Sequence, residues 1–231
     1  MPSASRRLRI APSLLSADFA ALGDAIRRAE AGGADAFHLD VMDGHFVPNI
    51  SFGPALVRAV RSRTDRPLDV HLMIERPERY LRAFAEAGGS TLVFHVEATD
   101  DPGPVLNAGK ALGVDVGVAL KPETPLARAE PLVDRIDQLM VMGVHPGFSG
   151  QAFIPETIPK LREARQLLDR HESAADLSID GGLTVETAGA SAAAGATFFV
   201  CGNSVFSRGD VGANLAVLRE AIGRGAGRAV P

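Results

Sequence analysis

Short apolar runs rich in Val, Leu, Ile and Phe recur at residues 8–11, 36–41, 68–73, 91–96, 114–120, 138–144, 177–180 and 197–201, each of a length suited to a buried strand. Ala-rich segments with helical spacing follow them at 18–31, 53–61, 77–87, 102–112, 125–133, 155–171, 184–194 and 211–222, several opening on a proline where a first helical turn accepts one. Eight strand–helix units predict an α/β fold, a single (β/α)8 TIM barrel over residues 1–231. An open doubly wound sheet needs fewer strands. Only the glycine-rich end, residues 222–231, reads as a loose tail.

Composition narrows the function classes. The chain is 46% apolar with a net charge of −4 and no basic run longer than Arg6-Arg7, so it carries no electrostatic footprint for nucleic acid. The apolar stretch IAPSLLSA after those arginines is short, contains Pro12 and soon meets Asp18, which does not fit an export signal; a cytoplasmic protein is expected. No run approaches the roughly 18 apolar residues that span a bilayer, so no membrane partner is expected. Cys201, the sole cysteine, excludes an intrachain disulfide.

The chemistry concentrates at strand ends, the face where barrels place it. In HLDVMDGHFVPN, residues 38–49, His38 and Asp40 stand two apart and share one face of a strand. PLDVHLM supplies His71, and LSIDGG supplies Asp180. Two imidazoles and two carboxylates converging from three strands suit one divalent ion such as Zn²⁺, Fe²⁺, Mn²⁺ or Co²⁺ better than Mg²⁺ or Ca²⁺, which prefer oxygen shells. The alternative is a pair of hydrogen-bonded core histidines and a capping carboxylate.

Glycines follow the last three strands, in HPGFSG (145–150), DGG (180–182) and CGNS (201–204), offering backbone N–H groups where barrels hold a phosphate. Ordinary loop glycines are the simpler reading of each alone. Met42, Met73 and Met142 lie at strand ends as core filler or, if they face the cavity, as an apolar lid that excludes water. Lys121 ends a strand in VALKP and keeps a Schiff-base aldolase in view; a non-catalytic metal-binding barrel is the other class.

The segments APSLLSADF, HLDVMDGHFVPN, PLDVHLMI, HVEA, PGFSGQ, IDGG and GNSVF, in this order, resemble the ribulose-phosphate 3-epimerase family from about residue 10 to 206. The resemblance implies a metal-dependent barrel of carbohydrate metabolism, placed in the pentose phosphate pathway. Its reaction would interconvert D-ribulose 5-phosphate and D-xylulose 5-phosphate by two-base proton transfer at C3 through an enediolate. It implies one divalent ion (Zn, Fe, Mn or Co) on His38, Asp40, His71 and Asp180, with Asp40 and Asp180 also the acid/base pair. Substrate contacts would come from Ser13, His71, Gly147, Phe148, Ser149, Gly150, Gly181, Gly182, Gly202 and Asn203, while Asp43 and His45 shape a loop. The expected partner is a phosphorylated ketose, and the expected assembly a homo-oligomer. The chain departs from the family's usual residues at Gly143 and His145, expected beside the methionine lid, and at Ser149 and Asn203 on the phosphate loops. Those departures keep a hexulose phosphate, allulose 6-phosphate, as the alternative substrate.

Overall fold

In the computed structural model, which describes residues 7–228, the apolar runs form eight parallel strands: β1 (Arg9–Pro12), β2 (Phe37–Met42), β3 (Leu68–Met73), β4 (Thr91–His95), β5 (Asp115–Leu120), β6 (Gln138–Met142), β7 (Asp176–Asp180) and β8 (Phe198–Cys201). Each pairs with its sequence neighbour, and β8 pairs with β1. A single parallel bridge between Ser13 and His38 joins β1 to β2 and brings the ring nearly to closure, the (β/α)8 barrel predicted.

The outer layer comprises α1 (Leu22–Ala31), α2 (Pro54–Arg61), α3 (Leu81–Glu86), α4 (Pro102–Lys110), α5 (Thr157–Arg170), α6 (Val185–Ala193), the short α7 (Asn203–Phe206) and α8 (Val211–Gly225). Period-two alternation divides the apolar residues between two cores. Leu39, Val41, Val70, Leu72, Leu139, Val141, Leu177 and Ile179 pack outward in the main cluster with helix residues such as Ile26, Val57 and Leu161. Ala11, Val93, Ala119, Met140, Met142, Phe198 and Val200 form a separate cluster inside the ring. The barrel is filled, and several of its remaining inward positions are polar.

Two expectations change. No α-helix forms over 125–133; two 3-10 turns, Leu126–Arg128 and Glu130–Leu132, connect β5 to β6 instead. Pro131 explains this, since in a continuous helix its ring would press on the carbonyl of Ala127 and its missing N–H would leave that carbonyl unbonded. At the other end, α8 continues to Gly225, into the stretch read as a tail, while residues 229–231 of that stretch lie outside the described residues, as does Arg6. The helix is retained because α8 crosses α6 closely: a Cβ on Gly225 would lie 2.1 Å from the carbonyl oxygen of Gly189. Gly225→Ala is therefore expected to lower stability by about 1–3 kcal/mol, the usual cost of overpacking, measured by denaturant unfolding. No helix among the described residues is long and apolar enough to cross a membrane.

Candidate active site

Alternation on three strands assembles the site. With Leu39 and Val41 packed outward, β2 turns His38, Asp40 and Met42 into the barrel, and β3 does the same with Asp69, His71 and Met73. Their register sets His38 beside Asp69, Asp40 beside His71 and Met42 beside Met73. Across the ring, β7 turns Ser178 and Asp180 inward, alternating with the outward Leu177 and Ile179.

One ligand atom from each of His38, Asp40, His71 and Asp180 lies within 4.8 Å of the others, and all four residues are buried. Nε2 of His38 stands 3.3 Å from Oδ1 of Asp40 and 3.7 Å from Oδ2 of Asp180. Nδ1 of His71 stands 3.6 Å and 3.3 Å from the same two oxygens. A tetrahedral ion with ligand bonds of roughly 2.0–2.1 Å imposes ligand–ligand edges of about 3.3–3.4 Å. The four histidine–carboxylate distances, 3.3–3.7 Å, are near those edges and wider than a charge-assisted hydrogen bond of about 2.7–2.9 Å. Both imidazole nitrogens are buried without a hydrogen-bond partner. A divalent ion fits this donor set, although nothing in it selects one metal over another.

Electrostatics point the same way. Burial disfavours a charged imidazole, yet Asp40, helped by Asp69 and Asp180, holds the pKa of His38 well above its usual value. Asp180 and Asp40 likewise raise His71 against its burial. Burial would raise Asp40, but His38 and His71 outweigh it and keep that carboxyl far below the usual carboxylate range. The space between two carboxylates favours positive charge. A proton on imidazole supplies it, and a divalent ion supplies it with both imidazoles neutral.

Above the cluster opens a cavity of 680 Å³. Its wall includes Asp40 and Asp180, the three methionines Met42, Met73 and Met142, and Ser13, whose hydroxyl donates to Oδ2 of Asp40 at 2.6 Å. The far side is made of Gly147, Phe148, Ser149, Gly150, Gly181, Gly182, Gly202 and Asn203, as the sequence suggested, together with Ser204 and Arg208. Gly182 has φ +69°, and a Cβ there would lie 2.6 Å from the backbone of Phe153, so a side chain at this position would distort the loop rather than simply enter the cavity.

Several expected residues sit elsewhere. His38 and His71 are fully buried and absent from the cavity wall, so His71, expected also as a substrate contact, does not face the cavity, while its Nδ1 belongs to the four-atom cluster that could hold an ion. His145 points away from the methionines, with Nδ1 3.4 Å from Glu123 and both side chains exposed. Gly143 is packed underneath, where a Cβ would lie 2.4 Å from the carbonyl oxygen of Gly181. Only Ser149 and Asn203, of the four departures, line the cavity. Lys121 is also outside the wall, its ammonium 4.3 Å from the centre of the Phe46 ring, which leaves a Schiff-base mechanism without its nucleophile in the cavity. Asp43 holds the loop after β2, its carboxylate accepting the backbone N–H groups of His45, Phe46 and Glu75.

Sequence reading passed over Asp69, His95, Glu97 and Arg208. Asp69 lies 2.7 Å from Nδ1 of His38. Its position two before His71, on the same strand face, was the available signal. His95 and Glu97 lie in the HVEA segment that contributes to the family resemblance.

Comparison with known proteins accords with this geometry. The profile of the Ribulose-phosphate 3 epimerase family matches residues 9–206. The ribulose-phosphate 3-epimerase of Bacillus subtilis is 48% identical over 205 residues, covering 88% of this chain and 94% of that protein. The ribulose-phosphate 3-epimerase of Escherichia coli K12 is 44% identical over 202 residues, covering 87% and 90%. Among solved structures, KGPDC from Streptococcus mutans superposes with a TM-score of 0.67 at 16% identity, covering 94% of this chain and 99% of that one. That last likeness is one of fold alone.

Proposed function

The chain belongs to the ribulose-phosphate 3-epimerase family, and on that premise we propose that its cavity inverts C3 of D-ribulose 5-phosphate to give D-xylulose 5-phosphate, and the reverse. The observation that carries the proposal is the pair Asp40 and Asp180, which reach the same two imidazoles from β2 and β7 and both face the cavity. Inversion next to a ketone removes a proton from one face and returns one to the other. Carboxylates on strands across the ring suit that division, one accepting as an anion while the other donates as an acid.

Each carboxylate directs one oxygen to the histidines, Oδ1 of Asp40 and Oδ2 of Asp180. The second oxygen of each is then the one that handles the substrate proton, and the Ser13 hydroxyl fixes that of Asp40. A divalent ion held by His38, Asp40, His71 and Asp180 would supply several kcal/mol of electrostatic stabilisation to the enediolate. Met42, Met73 and Met142 keep water from the reacting carbon and offer no competing proton donor. A cytoplasmic setting is proposed with this activity.

The glycine loops after β6, β7 and β8 would hold the phosphate through backbone N–H groups, with Arg208 as the cationic side chain of the cavity wall. Inorganic phosphate is expected to inhibit competitively, and unphosphorylated ribulose to turn over far more slowly. Arg208→Gln should raise KM about tenfold with little change in kcat, the size of one charge-assisted hydrogen bond. An unchanged KM would remove Arg208 from the phosphate site. The deciding assay compares kcat/KM for ribulose 5-phosphate and allulose 6-phosphate; preference for the hexulose would reverse the substrate assignment.

A further inference from the structure

The two histidines of the cluster are supported differently. Behind His38 stands a carboxylate, Asp69. Behind His71 stands a second imidazole: Nε2 of His71 lies 2.9 Å from Nε2 of His95, whose Nδ1 lies 3.1 Å from Oε2 of Glu97. The His71 and His95 rings are inclined by only 25° with centroids 5.0 Å apart, an edge-to-edge arrangement that suits an N–H···N bond. Both rings are fully buried.

We propose that Glu97, acting through His95, is the positioning residue that fixes the tautomer of His71 and so presents its Nδ1 lone pair to the divalent ion. This rests on the ion-binding reading above. The argument is a count of protons. Two nitrogens at 2.9 Å share one proton, because two N–H groups cannot face each other there and two lone pairs do not bind. A neutral His71 that offers Nδ1 to an ion carries its proton on Nε2 and donates it to His95. Nε2 of His95 must then be bare, which puts the proton of that ring on Nδ1, where it needs an acceptor. Glu97 is that acceptor. The opposite arrangement would protonate Nδ1 of His71 and remove it as a ligand.

Glu97 is itself held. Its Oε1 accepts the backbone N–H of Lys121 at 2.9 Å, and the loop that starts there is clamped by Lys160, whose ammonium donates to the carbonyls of Lys121, Pro122 and Thr124. The ring of Phe46, 4.8 Å from that of His95, covers the relay. Glu97 therefore receives two N–H donors, one on each oxygen. A glutamine has one acceptor oxygen, so one of the two donors would meet its NH2 group.

The test is Glu97→Gln, read as Zn²⁺ affinity by competition with a chromophoric chelator. The expected result is a loss of about 10–100-fold, the usual effect of removing a partner behind a metal ligand. His95→Gln retains a side-chain oxygen that can accept from His71. If Glu97 acts through His95, the double variant binds no more weakly than the worse single one. In zinc-loaded wild type, ¹⁵N shifts should place the His95 proton on Nδ1; finding it on Nε2 overturns the proposal without any variant. Unchanged Zn²⁺ affinity in a folded Glu97→Gln protein, or strictly additive losses, overturns it as well. Failure of the wild type to bind Zn²⁺ overturns the ion-binding reading and this proposal with it.

Discussion

Asp180→Asn and Asp40→Asn are each expected to lower net epimerisation by about 10²–10⁴-fold, the contribution of one positioned acid or base. On the proposed two-base mechanism each substitution removes the proton carrier of one face of the sugar, and the surviving carboxylate, held on a different strand, serves only the other face. Hydrogen exchange in deuterated water separates the two roles. One variant should wash out the C3 hydrogen of only one epimer, and the other variant that of only the opposite epimer. Because both residues also belong to the ligand cluster, the metal content of each variant has to be measured alongside its rate. A metal-loaded single variant that epimerises near the wild-type rate would show that one group serves both faces.

Stripping divalent ions with a strong chelator is expected to abolish turnover, and Zn²⁺, Mn²⁺, Co²⁺ or Fe²⁺ to restore it, with about one ion bound per chain at a single four-ligand site. The expected loss is large because a positioned base alone gives roughly 10²–10⁴-fold, while several kcal/mol of charge stabilisation adds a further factor of about 10³ or more. Inductively coupled plasma analysis beside the rate assay provides the check. Full activity in protein shown to be free of metal would leave the histidines with a purely structural role.

The eight strands and the four-residue cluster were legible because both depend on short-range periodicity. His38 and Asp40 stand two apart on one strand, and Asp180 ends another, so their inward direction follows from their outward apolar neighbours. The segment 125–133 misled because its spacing is helical while Pro131 forbids the helix. His145 and Gly143 were misplaced for another reason: loop direction after a strand end is set by tertiary partners, here Glu123 and the Gly181 carbonyl. The link from Glu97 through His95 to His71 crosses between strands, and sequence spacing carries no record of which nitrogen meets which.

The polar layer inside the barrel also constrains how the chain can drift. Asp69 pairs with Nδ1 of His38, and His71, His95 and Glu97 form a second buried chain, so a change at one member leaves its neighbour with an unmatched donor or acceptor. Outward positions such as Val41 and Val70 pack within the main apolar cluster, where a swap of similar volume is tolerated. A substitution in the interior layer is therefore expected to need a matching change at its partner to restore stability, while an outward position can be exchanged singly.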